Sequence, residues 1–131
     1  MKVGAVVDPL AQDYWPDVLT LLIPAIERSD GDQVAVEAAL GDGTALLWLG
    51  VAERIEAVLV VRKDGDTMEI WLAGGKIIPL FPYLANMIEQ AAIEAGMTRG
   101  RVDGRKGWTR ALRSWGWRTS GKYLVKDLVH G

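Results

Sequence analysis

Residues 55–72 read IEAVLVVRKDGDTMEIWL, and this stretch decides the fold. Two runs rich in apolar and β-branched residues, 55–62 and 67–72, stand on either side of the turn residues Lys63-Asp64-Gly65-Asp66. An Asp-Gly pair between two such runs is a strong short-range signal for a β-hairpin. The stretch therefore predicts two antiparallel strands joined by a tight turn.

The residues before the hairpin predict two more strands and two helices. Residues 45–51, ALLWLGV, are nearly all apolar and predict a strand that is buried on both faces, and residues 3–7 predict a short first strand. Apolar side chains at helical spacing predict a helix over 14–28, followed by a shorter helix over 32–40. Pro24 falls inside the first helix and predicts a kink or a break there.

The residues after the hairpin predict alternating helices and strands, so that the whole chain forms a single α/β domain over residues 1–131. A loop at Ala73-Gly74-Gly75-Lys76 leads into the first of these helices. Gly96 and Gly116 are placed to end the two helices of this part. The predicted elements are a helix over 78–95, a strand over 99–104, a helix over 106–115 and a strand over 117–128.

Composition excludes several classes of site. The chain of 131 residues has no cysteine, which excludes disulfides, thiolate zinc sites and a cysteine nucleophile. Its one histidine, His130, stands next to the last residue, so we expect no metal site and no histidine-based triad. No apolar run approaches the roughly 20 residues that cross a bilayer, and the N-terminus is too short for a signal peptide. We expect a protein of the cytoplasm, or of an assembly made there, with no membrane contact.

Charge is distributed unevenly along the chain. Residues 1–98 contain 6 basic and 15 acidic residues, whereas residues 99–131 contain 9 basic and 2 acidic residues. Such a split often marks a surface that faces a partner. The alternative is that the two parts attract each other across the fold.

The most specific motif is GWTRALRSWGWR at 107–118, a helix that ends in an aromatic residue, then glycine, then a second aromatic residue. It resembles the GNAT superfamily of N-acetyltransferases, in which Leu-Gly-Phe usually stands where this chain has Trp115-Gly116-Trp117. The resemblance implies a mixed, mainly antiparallel sheet flanked by helices over essentially the whole chain. Residues 102–118 also resemble degenerate GNAT-like proteins of tailed bacteriophages, including internal or tail-associated virion proteins.

The resemblance also implies where coenzyme A would bind. Members of the family hold its pyrophosphate on a Gln/Arg-x-x-Gly-x-Gly/Ala loop at the start of the long helix, with backbone amides and the helix dipole facing the phosphates. Aligning Gly74 with the first glycine puts Trp71 in place of Gln or Arg and Lys76 in place of Gly or Ala. If acetyl-CoA binds, Gly74, Gly75 and Lys76 would hold it. The alternative is an ordinary turn from strand to helix, with no cofactor.

The resemblance places catalysis in doubt. Many members use a tyrosine four residues before the motif glycine as a general acid, and Leu112 occupies that position here. Leucine cannot donate a proton. Tyr123, the nearest tyrosine, is expected in the core. Glu69 is the weak candidate for a general base, with Glu53 behind it, and a plain surface carboxylate is the alternative for both.

The basic C-terminal part suggests a contact surface, chiefly Arg105, Lys106, Arg110 and Arg113. Guanidinium groups pair well with carboxylates and phosphates. Our first hypothesis is a non-catalytic, structural or interaction component of a virion or other assembly, with proteins or further copies of the chain as partners. The alternative is an active acetyl-CoA-dependent N-acyltransferase. A weaker alternative is a nucleic-acid-binding accessory protein, because tryptophans interleave with the arginines.

Overall fold

A single sheet runs through the chain. The computed structural model describes residues 2–29, 31–103 and 106–128, and describes the side chains of all of these except 78–83 and 106–109. The strands are β1 (Lys2–Val6), β2 (Ala45–Val51), β3 (Ile55–Asp64), β4 (Thr67–Gly75), β5 (Arg99–Asp103), β6 (Arg118–Ser120) and β7 (Tyr123–Asp127). Their order across the sheet is β1-β2-β3-β4-β5-β7-β6, and β4 and β5 form its one parallel pair within the described residues. The expected mixed, mainly antiparallel sheet is confirmed.

Helices cover both faces of the sheet. They are α1 (Trp15–Arg28), α2 (Gln33–Asp42), α3 (Ile77–Glu94) and α4 (Lys106–Arg113), with a short 3-10 turn at Pro9–Ala11. Because side chains alternate along a strand, Val58 and Val60 of β3 pack with α1 and α2, whereas Leu59 and Val61 pack with α3 and α4. Among the described residues no helix is long and apolar enough to cross a membrane.

The predicted hairpin is present, and its strands are longer than expected. Asp64 pairs with Thr67, and Gly65 has a φ of 63°, a value that suits glycine. Residues 73–75, predicted as a loop, continue β4 and pair with β3 down to Ala57. Lys76 alone therefore separates the end of β4 from the start of α3.

The break that the sequence allowed at Pro24 does not occur, and the expectation of one continuous last strand was wrong. The helix α1 runs unbroken through Pro24, because Pro24 and Thr20 both lie on its exposed face, where water can bond the Thr20 carbonyl that lacks a helical donor. The predicted last strand is two strands, since Gly121, with a φ of 61°, turns the chain so that Ser120 pairs with Tyr123.

The Trp115-Gly116-Trp117 turn fastens α4 to the sheet. Gly116 has a φ of 91°, and the Trp117 N–H donates to the Leu112 carbonyl at 3.1 Å, which closes the helix end. Trp117 is buried, and its ring lies so close to Gly100 of β5 that a Cβ there would stand 2.9 Å from the ring. The predicted role of Gly116 as the end of the helix is confirmed.

A second close approach joins α1 to β4. A Cβ added at Gly74 would collide with the carbonyl oxygen and carbon of Leu21 in α1. Backbone atoms of the helix cannot move aside as a flexible side chain can, so the position admits only glycine at this separation.

We expect Gly74→Ala to lower the free energy of unfolding by about 3 kcal/mol, because α1 must be pushed away from the sheet. Gly4→Ala in β1 is the matched control, since an added Cβ there meets nothing within 4 Å. Urea unfolding of both variants measures the difference. Equal stability of the two variants would contradict the close approach.

Candidate functional site

The strands β4 and β5 pair over the first part of β4 and then separate. Their pairing covers only Thr67–Ile70 against Arg99–Val102. The next residue, Trp71, is an extra residue with no partner in β3, since Ile70 pairs with Val61 and Leu72 pairs with Val60. Beyond this bulge, β4 continues beside β3 only, and no described strand pairs with its other edge.

A row of charged side chains crosses the sheet just before the separation. Arg62 of β3 pairs with Glu69 of β4, which pairs with Arg101 of β5. The Nε atom of Arg62 donates to one carboxylate oxygen of Glu69. The Nε and Nη2 atoms of Arg101 donate to the other oxygen at 3.0 and 2.7 Å. We call Arg62, Glu69 and Arg101 the charged row.

The charged row limits what Glu69 can do. Glu69 is 7% exposed, and both of its carboxylate oxygens accept hydrogen bonds from arginine side chains. Arg101 also donates to Asp64 at 2.8 Å, and the bond to Asp64, followed by those to Glu69, raises the pKa of Arg101 above its ordinary value. The carboxylate of Glu69 is thereby held in place between two guanidinium groups. The other candidate base, Glu53, lies in the exposed turn between β2 and β3.

A pocket of about 270 Å³ opens beside the charged row on the face that α1 and α2 cover elsewhere. We call it the polar pocket. Tyr123 lies at its edge and not in the core, half-buried, with the cations of Arg101 and Lys122 each 5.1 Å from its ring centroid. The residues that line the pocket are Arg28, Ser29, Arg62, Glu69, Ile70, Trp71, Asp103, Lys122 and Tyr123.

The expected phosphate-binding residues Gly74, Gly75 and Lys76 stand at the other end of β4. Gly74 faces the backbone of Leu21, and Gly75 faces the backbone of Glu56, where a Cβ would collide with the carbonyl oxygen. The Lys76 N–H donates to that same carbonyl at 2.8 Å, and the Lys76 Nζ atom lies 3.3 Å from the Glu56 carboxylate.

These contacts do not fit the pyrophosphate of coenzyme A. A phosphate cradle needs several free N–H groups that point at one place. Here the Lys76 N–H is already bonded, and its ammonium group has a carboxylate partner. The third position of α3 is Pro79, which has no N–H. The one-residue connection between β4 and α3 supplies no further loop amides.

Leu112 occupies the position of the missing general acid and belongs to the core. It is fully buried and packs in the cluster beneath α3. The structure therefore assigns Leu112 a packing role.

The expected contact residues on α4 are only partly described. Arg110 and Arg113 are exposed, and Arg113 donates to the Thr119 hydroxyl at 3.0 Å. Lys106 begins α4, its side chain is outside the described set, and Arg105 lies outside the described residues. Elsewhere in the C-terminal part, the alternative of intramolecular pairing is realised. Three basic residues there form ion pairs within the chain: Arg101 with Asp64 and Glu69, Arg118 with Asp127, and Lys126 with Glu89.

Sequence reasoning missed the partners of Glu69. The pairing of Arg62 with Glu69 could have been predicted, because a two-residue turn after Asp64 places residue 62 opposite residue 69. The pairing of Arg101 with Glu69 could not be predicted in this way, since the register of a parallel pair depends on how α3 packs.

By sequence, no protein-family profile and no curated protein matches this chain. By structure, it is similar to an aminoglycoside 6'-acetyltransferase type Ii, with a TM-score of 0.73, 13% identity and coverage of 100% of this chain and 99% of the other. It is similar to the ribosomal-protein-S18-alanine N-acetyltransferase of Escherichia coli, with a TM-score of 0.71, 7% identity and coverage of 99% and 95%. An acetyltransferase of Bacillus subtilis solved with CoA gives a TM-score of 0.68, 12% identity and coverage of 98% and 99%. The chain has the fold of the GNAT acetyltransferases.

Proposed function

We propose that this chain is a GNAT-fold protein that does not transfer acyl groups and serves as an interaction component of a larger assembly. One observation carries the proposal. The single residue between β4 and α3, Lys76, uses both its N–H and its ammonium group on Glu56. At this place in the fold, the backbone and side-chain donors of Lys76 are thus bonded within the protein.

The state of the catalytic positions supports the same proposal. Glu69 is fixed by two cations, and Leu112 is an apolar core residue. A site that acts on an amine needs a group to accept a proton and a group to donate one. Leu112 has no proton to donate, and both carboxylate oxygens of Glu69 already accept hydrogen bonds within the protein.

The contact surface in this proposal is α4, with the exposed side chains of Arg110 and Arg113. Three residues apart on a helix, these two point in similar directions and present guanidinium groups to acidic patches on a partner protein. The likeness of residues 102–118 to phage virion proteins makes a phage particle the assembly that we propose. Proteins suit this surface better than nucleic acid, since several arginines nearby are already paired with carboxylates.

A second candidate function is acyl transfer from acetyl-CoA. The observation that favours it is the unpaired edge of β4 after Ile70, where backbone groups are free to bond an extended ligand. The fold neighbours named above are acetyltransferases, and one of them was solved with CoA.

Calorimetry separates the two candidates. We expect acetyl-CoA to give no saturable heat at concentrations up to about 1 mM, because no free cradle receives its phosphates. Micromolar binding that is lost in Lys76→Ala and kept in Arg54→Ala would favour the second candidate. Arg54 is a suitable control because its side chain is a neighbouring cation with 82% exposure.

Stability measurements test the structural role of Glu69. Glu69→Gln should lower the free energy of unfolding by about 2 kcal/mol, because two guanidinium groups lose their shared carboxylate. Asp127→Asn is the matched control. Its pair with Arg118 is about half exposed on both sides, so we expect a loss below about 0.5 kcal/mol in urea unfolding. A Glu69→Gln protein as stable as the wild type would reopen Glu69 as a catalytic base.

Charge reversal tests the α4 surface. We expect Arg110→Glu with Arg113→Glu to abolish co-purification of the tagged chain with its assembly, because like charges would then face the partner's acidic groups. The melting temperature should change little, as both side chains are exposed. The double variant Arg28→Glu with Arg54→Glu carries the same change of charge on other parts of the surface. Normal assembly of the α4 variant, or its unfolding, would refute this surface.

A further inference from the structure

The polar pocket has two cations at its rim that the fold does not use. Arg28 at the end of α1 and Lys122 in the β6–β7 turn both line it, and both are exposed. Neither forms an ion pair with any residue that the structure describes. The Lys122 ammonium is held near the pocket by the ring of Tyr123, 5.1 Å away.

The interior of the polar pocket adds no net negative charge. Glu69 is neutralised by Arg62 and Arg101, and Arg101 is shared with Asp64. Arg62 uses its Nε atom for Glu69, and its guanidinium group lies over the Trp71 ring at 4.2 Å. The two Nη groups of Arg62 make no hydrogen bond to a described residue, so a planar donor pair stays available at the pocket wall.

Asp103 is the one lining carboxylate that lacks a cation among the described residues. Against it stand the two rim cations, Arg28 and Lys122, so the lining has one positive charge in excess. This excess positive charge would repel a cationic amine. A carboxylate would be attracted and would match the geometry of a guanidinium group.

We propose that the polar pocket binds a small carboxylate anion, held by Arg28 and Lys122 at the rim and by the free side of the Arg62 guanidinium at the wall. A volume of about 270 Å³ admits a molecule of the size of a short dicarboxylate and excludes a nucleic-acid strand. The proposal concerns a site apart from α4 and does not depend on which partner α4 contacts.

The reporter for binding is the indole of Trp71. Its ring lines the polar pocket, and its Nε1–H has no acceptor among the described residues. Succinate is titrated into protein carrying ¹⁵N-labelled tryptophan, with the Trp71 signal assigned by its loss in Trp71→Phe. We expect a saturable shift of that signal. Lys122→Gln and Arg28→Gln should each weaken binding about fivefold, whereas Asp103→Asn should strengthen it by a similar factor.

The controls isolate charge from general effects. Arg54→Gln removes an exposed cation outside the pocket and should leave binding unchanged. Succinamide, which has the shape of succinate without its charge, should cause no saturable shift. The remaining indole signals show whether each variant is folded.

Three outcomes would overturn the proposal. The first is the absence of a saturable succinate shift in the wild-type protein. The second is inorganic phosphate binding more tightly than succinate. The third is the opposite pattern of variants, in which Asp103→Asn weakens binding and Lys122→Gln strengthens it, since that pattern identifies a cationic ligand. Neither outcome of the acetyl-CoA calorimetry affects this test, because the polar pocket adjoins the middle of β4, whereas the Gly74, Gly75 and Lys76 positions lie at its end.

Discussion

The extra residue at Trp71 determines how the two halves of the sheet meet. On one side β4 pairs with β3 from Thr67 to Gly75 except at Trp71, but on the other side it pairs with β5 over only four residues. The bulge turns two consecutive side chains, Trp71 and Leu72, toward the same face and bends the strand away from β5. The polar pocket and the charged row lie just before this separation, and the start of α3 lies after it.

The two ends of β4 are closed by different means. At one end, ionic groups from three strands neutralise one another around Glu69. At the other end the contacts are between backbone groups. Gly74 lets β4 lie directly against α1, Gly75 lets it lie directly against β3, and the Lys76 N–H donates to the Glu56 carbonyl. Around Glu69 and around Lys76, the polar groups named here are paired within the protein. A shared fold does not by itself assign a function, which must be argued from the groups that remain unpaired.

Local patterns account for what the sequence could predict. Apolar periodicity, the Asp64-Gly65 turn and Gly116 act over a few residues, and the corresponding strands, helices and helix end were all placed. The second turn, at Gly121, carried the same kind of signal and was overlooked. Only half of the charged row could be predicted from the sequence. The hairpin register places Arg62 opposite Glu69, but no such register places Arg101. The role of Gly74 could not be predicted, because it depends on where the Leu21 carbonyl of a distant helix comes to lie.

The parallel pairing of β4 with β5 also bears on how the chain folds. The hairpin of β3 and β4 closes through a two-residue turn, whereas β5 can join β4 only after α3 has bridged them. We therefore expect the part of the chain from β5 onward, which carries most of the basic charge, to dock onto a largely acidic body that is already partly formed. Attraction between opposite charges speeds the association of two molecules, and we expect it to speed this docking step within one molecule in the same way. Added salt screens that attraction, so we expect refolding to slow, and the surface ion pairs to weaken, as ionic strength rises.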